Sequence, residues 1–124
     1  MTVEELYTQI GGSYDDVFSR LRSEALIARI LGKFLDDTTC SDLIEAWGRG
    51  DEVASFEAAH AAKGTCMNLG FTRLGVLASD ITEALRPGNE GLRATTDIDA
   101  LVEELSVEYK KVYSGVEAFL ASQG

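Results

Sequence analysis

The chain has 124 residues, a formal net charge of −10, 45% hydrophobic residues and a single proline. That length suits one domain, residues 1–124, with a modest core, and the apolar content excludes a disordered chain. The acidic balance argues against nucleic acid and against an anionic membrane surface, since both need a basic patch.

No run approaches the ~18 apolar residues of a membrane span. The acidic start Met1-Thr2-Val3-Glu4-Glu5 carries no signal-peptide pattern, so the expected location is the cytoplasm. Thr2 and Glu5 form a capping box, and Leu6, Tyr7 and Ile10 give a short amphipathic helix that Gly11-Gly12 ends. Ser13-Tyr14-Asp15-Asp16 starts another, with Val17, Phe18 and Leu21 on one face. Residues 1–22 thus predict two helices too short to stand alone, packed across the end of a bundle formed by residues 23–124.

Leu26, Ile27, Ile30, Leu31, Phe34 and Leu35 follow helical spacing and predict a bundle helix from Ser23 to Asp36. Thr39-Cys40-Ser41-Asp42 is the expected cap of the next, which carries Leu43, Ile44 and Trp47 and closes at Gly48-Arg49-Gly50. Asp51 can cap a helix running to Leu69, with Gly70 as its C-terminal glycine. Another starts at Thr72, carries Leu74, Leu77, Ile81 and Leu85, and stops at Pro87-Gly88. The tight connection makes these two antiparallel neighbours. Asn89 to Thr95 reads as a loop. Thr96-Asp97-Ile98-Asp99 caps a long last helix whose stripe is Ile98, Leu101, Leu105, Tyr109, Val112, Val116 and Phe119. No segment has strand period, so the fold class is all-α, a helical bundle.

Cys40 and Cys66 have no CxxC spacing and no secretory context, which argues against a disulfide. With one histidine and no clustered cysteines, no metal site is expected.

That one histidine, His60, lies in the helix expected from Asp51. His60, Lys63, Gly64 and Met67 fall at i, i+3, i+4 and i+7, a single face. Ala58, Ala59, Ala62, Cys66 and Leu69 gather on another arc, about 120–140° away at ~100° per residue. If the small apolar arc faces the core, His60 faces water. A glycine inside a helix costs about 1 kcal/mol relative to alanine, so Gly64, one turn from His60, suggests the close approach of something large. From Ala58 to Ser79 there is no carboxylate, while Lys63 and Arg73 lie inside that window. A locally positive site of this kind suits an anionic group such as phosphate.

Three roles compete for His60. It can be a structural histidine at a bundle edge, since Val53, Phe56 and Met67 flank it. It can be a general acid–base residue, although the only carboxylate on its own helix face is Glu57, and no nucleophile elbow, P-loop or Rossmann glycine pattern is present. Or it can be a nucleophile that carries a phosphoryl group, because much imidazole is uncharged near neutral pH and offers a ring lone pair. Lys63 can then neutralise charge on the phosphoryl oxygens. The spacing accommodates the first and third roles alike.

The stretch Ala59-His60-Ala61-Ala62-Lys63-Gly64-Thr65, followed by Asn68-Leu69-Gly70 and then Leu74, Leu77 and Ala78, resembles the signature of the histidine phosphotransfer (HPt) domain. His60, Lys63, Gly64 and Gly70 all fall at the family's spacing; Ala62 stands where the family usually has Leu or Ile. The resemblance implies an antiparallel four-helix bundle with an exposed histidine. It also implies a phosphorelay intermediate without kinase activity of its own, His60 accepting the phosphoryl group and Lys63 stabilising its charge. The implied partners are response-regulator receiver domains and a hybrid histidine kinase, docking over Gly64, Met67 and Phe56. No cofactor is implied on this chain, the receiver supplying Mg²⁺, and the expected state is a monomer. The alternative is a non-catalytic bundle that sequesters a receiver or another partner.

Overall fold

A computed structural model describes residues 1–123, and these form helices joined by short turns, with no strand among them. The elements are α1 (Val3–Gln9), α2 (Tyr14–Leu21), α3 (Glu24–Asp36), α4 (Thr39–Gly48), α5 (Glu52–Asn68), α6 (Thr72–Leu85), α7 (Glu90–Thr95) and α8 (Ile98–Gln123). The fold is an all-α helical bundle. No helix among the described residues is long and apolar enough to cross a membrane.

Local chemistry explains most of the boundaries. Helix starts leave backbone N–H groups without partners, and short oxygen-bearing side chains fill that need. The Thr2 hydroxyl accepts from the Glu5 N–H while the Glu5 carboxylate accepts from the Thr2 N–H. Ser13, Ser23 and Asp51 accept from Asp16, Leu26 and Ala54 respectively. The cap expected within Thr39–Asp42 is not used. The Thr39 N–H donates instead to Asp37 Oδ1 at 2.9 Å, so the capping carboxylate lies two residues earlier.

One segment corrects the sequence reading. Residues Glu90–Thr95, expected as loop, form α7. Asn89 gives no side-chain cap, because its amide donates to the Glu83 carbonyl at 2.9 Å. This short helix is held from outside: Arg93 pairs with Glu52 at 3.2 Å and stands over the Trp47 ring. Such tertiary support leaves no apolar period to read.

Helices α4, α5, α6 and α8 each pack on the next, and α8 returns to α4, so they close a four-membered ring. Their inner faces bury Leu43, Ala59, Ala62, Cys66, Leu74, Ile81, Leu105 and Val112. Helix α3 packs against α8 and α2 from outside that ring. The two short N-terminal helices pack on α8, on α3 and on the α5–α6 turn. The Ser13 N–H donates to the Gly70 carbonyl at 2.8 Å. A Cβ on Gly70 would stand 2.7 Å from the Ser13 carbonyl oxygen, and its φ of +71° favours glycine on its own account. Arg20 on α2 donates to the carbonyls of Met67 and Asn68, both at 2.8 Å, and so caps the C-terminus of α5.

Tyr7 ties the same junction from inside. Its ring is fully buried and its hydroxyl donates to the Leu69 carbonyl at 2.6 Å. Tyr7→Phe should cost about 1–2 kcal/mol, since it leaves a buried acceptor without its partner. In a thermal melt that is a loss of roughly 3–10 °C. Burial also raises the Tyr7 pKa above its ordinary value, because the phenolate would lose its solvation. The folded-state pKa therefore exceeds the unfolded one. Its contribution to stability is complete below the unfolded value of about 10 and fades as pH rises from there toward the folded value. Wild type should lose stability above about pH 10 more steeply than Tyr7→Phe, as read by denaturant midpoints across pH.

Candidate functional site

The histidine helix α5 is built as its spacing predicts. Ala59, Ala62 and Cys66 are fully buried, Leu69 nearly so, and Ala58 is half-buried, so the small-residue arc faces the ring's interior. Ser55 joins that buried arc, its hydroxyl donating to the Asp51 carbonyl at 2.7 Å. His60 is on the opposite side and exposed. This small-residue inner face also lets α4 and α6 lie close to α5, consistent with the packing of both helices on it.

Around the imidazole the side chains are arranged by α5 and α6 together. The Phe56 ring is one turn before His60, 6.1 Å between centroids. Lys63 is half-buried and makes no ion pair among the described residues. Gly64 is exposed, and a Cβ there would meet nothing within 4 Å. The glycine is thus not demanded by packing within this chain. Met67 is 37% exposed, with its thioether turned onto α6, where a Cβ at Gly75 would stand 2.9 Å from the sulfur. Gly75 therefore makes the seat for Met67.

Two expectations about charge change. Arg73 does not join the histidine face, because its Nε pairs with Glu108 on α8 at 3.2 Å. A carboxylate that the sequence separates from His60 comes within range of its charge without pairing with it: Glu83 on α6 feels both Lys63 and His60. Glu83 is bound by Arg86, with Nη2···Oε2 at 2.8 Å and Nε···Oε2 at 3.1 Å. These hydrogen bonds hold the Glu83 carboxyl below the usual carboxylate range, with Lys63 and His60 adding smaller contributions. The Arg86 guanidinium in turn lies over the Phe56 ring, 5.4 Å from its centroid.

The chain matches no family model, no curated protein and no solved structure. An exposed imidazole beside an ammonium and an unobstructed glycine is open to a large reactant and can stabilise negative charge brought to the ring. Among the described residues no three His, Cys, Asp or Glu side chains cluster to hold a metal ion. Cys40 and Cys66 are free thiols buried in the core, and the hydrogen bond with Cys40, then burial, pushes the Cys66 thiol well up. The Cys66 thiol is therefore no nucleophile at neutral pH.

The surface near the histidine is apolar in places. Val53 is 71% exposed on α5, in helical register with Phe56 and His60. Val76 is 46% exposed on α6, seven residues from Glu83 and so on the same stripe. With Met67 and the half-buried Phe56 they give the histidine face apolar points set among charged groups, a composition suited to transient protein contact.

Proposed function

We propose that the protein is a phosphoryl carrier in which His60 accepts a phosphoryl group from an aspartyl phosphate on a receiver domain and passes it to a second receiver. A neutral ring nitrogen of His60 attacks phosphorus, the P–N bond forms, and the P–O bond to the aspartate breaks with the electron pair leaving on the carboxylate. The reverse sequence delivers the group onward. The observation that carries this role is the open space at Gly64 one turn from an exposed His60: a glycine that costs helix stability and relieves no crowding inside the chain favours approach from outside. The small-residue arc supports it, since it turns the histidine away from the core instead of burying it as a structural residue. We assign the Mg²⁺ of the transfer to the receiver, and the enzyme that first makes the phosphoryl group to a hybrid histidine kinase. The chain itself acts as a monomeric carrier without kinase activity.

Lys63 supplies positive charge to the phosphoryl oxygens as the group transfers. It is half-exposed, so solvent screening pulls its contribution to the low end of the range for such groups. Lys63→Ala should slow uptake by roughly tenfold with an unchanged melting temperature. Equal rates for the two proteins would make Lys63 an ordinary solvated side chain.

The test of the role mixes the protein with a phosphorylated receiver and follows the label. Uptake in an acid-labile, base-stable form is expected. Binding of the receiver with no uptake would instead make the protein a sequestering bundle.

A further inference from the structure

We propose that Arg86 is a phosphoryl-binding residue and that Glu83 is the anion it releases when His60 becomes phosphorylated. The inference rests on the phosphotransfer role of His60. Arg86 follows the last residue of α6, and its guanidinium lies over Phe56, the aromatic neighbour of His60. A short swing along that ring face brings it toward the imidazole. Its side chain is 39% exposed at the surface end of α6, and the Phe56 ring beneath it gives the swing a face to follow. In the unphosphorylated protein its Nε and Nη2 are both occupied by Glu83.

The same two donors fit phosphoryl oxygens in the same side-by-side geometry. A phosphoryl group carries more negative charge than a carboxylate, so phosphorylation of His60 turns the balance of attraction toward the ring. Glu83 is close enough to His60 and Lys63 to feel their charges. If it kept that position without a counter-charge it would repel an incoming phosphoryl group. The ion pair therefore has two roles in sequence. It shields the carboxylate while the site is empty, and it releases a cation for the phosphoryl group when the site is filled.

The probe is phosphoramidate, a small donor that needs no receiver surface. Its P–N bond breaks as the P–N bond to His60 forms, and the amine leaves as ammonia with a proton. Uptake is followed in wild type, Arg86→Gln, Arg86→Lys and Glu83→Gln, with melting temperatures alongside. Arg86→Gln should slow uptake roughly five- to thirtyfold, and Arg86→Lys should recover part of the loss. Glu83→Gln, which frees the guanidinium and removes a negative charge, should raise uptake by about two- to fivefold. In wild type the Arg86 Nε–H resonance should shift on phosphorylation.

Unchanged uptake in Arg86→Gln, or an Nε–H resonance that does not move, overturns the exchange. So does a Glu83→Gln protein as slow as Arg86→Gln, since the pair would then be serving only as a helix-end brace. The resonance is read in the native protein, so the test stands even if a variant fails to fold. If wild type takes up phosphate normally while the Arg86 results fail, only the exchange is lost. If wild type takes up none from phosphoramidate or from a phosphorylated receiver, the phosphotransfer role falls and the exchange with it.

Discussion

His60→Gln is expected to fold, to bind a receiver, and to take up no phosphate at all. The imidazole is exposed and off the buried arc of Ala59, Ala62 and Cys66. Replacing it should therefore change stability by no more than about 0.5 kcal/mol. Glutamine keeps polarity and similar reach but offers no nucleophilic lone pair. His60 is also the only histidine in the chain, so no neighbour can replace it as a phosphohistidine. The check is a pair of measurements on one preparation: receiver affinity by calorimetry and label uptake after mixing with a phosphorylated receiver. An unfolded variant would show that His60 serves the fold, and a labelled one that another side chain is the acceptor.

Gly64 should divide sharply between fold and function. Its Cβ position is open, so Gly64→Ala should be neutral or stabilising by up to about 1 kcal/mol, as alanine restricts the unfolded chain and favours helix. Gly64→Gln should also fold, yet it raises a long side chain on the surface over which, in the proposed role, a receiver brings its aspartate to His60. Displacing the reacting atoms by about 1 Å can cost on the order of a hundredfold in rate, and that is the loss expected in receiver-dependent transfer. Uptake from phosphoramidate, which needs no docking, should fall far less in the same variant. A glutamine protein that exchanges phosphate with a receiver at the wild-type rate would remove the close-approach role of Gly64.

Most of the helical order is legible in the sequence because it is written locally. Caps at Thr2, Ser13, Ser23 and Asp51 and apolar residues three and four apart announce seven of the eight described helices. The start of α4 is displaced because an aspartate outside the helix, Asp37, takes the Thr39 N–H. Helix α7 is silent in sequence because Arg93 anchors it through Glu52 and Trp47, and tertiary contacts override weak local preference.

The histidine face follows the same division. His60, Lys63, Gly64 and Met67 share one helix and could be grouped by period alone. Glu83 on α6 and Arg86 just after its end reach the site only through antiparallel packing. A signal did exist: the α5–α6 turn at Gly70 sets residues at similar distances from the turn opposite one another, and a Glu and an Arg three apart form a natural helix pair. Arg73 shows the reverse error, since a carboxylate-free window counted along the chain ignores Glu108 arriving from α8.

The most direct measurement is the chemical identity of the phosphorylated residue in the wild-type protein. After incubation with a phosphorylated receiver, the protein is digested at mildly basic pH and the fragments are sequenced by tandem mass spectrometry. Phosphotransfer through His60 predicts one added phosphoryl group, on His60, lost in acid and kept in base. A phosphoryl group on a serine, threonine or aspartate, or none on a protein that still binds the receiver, would contradict it.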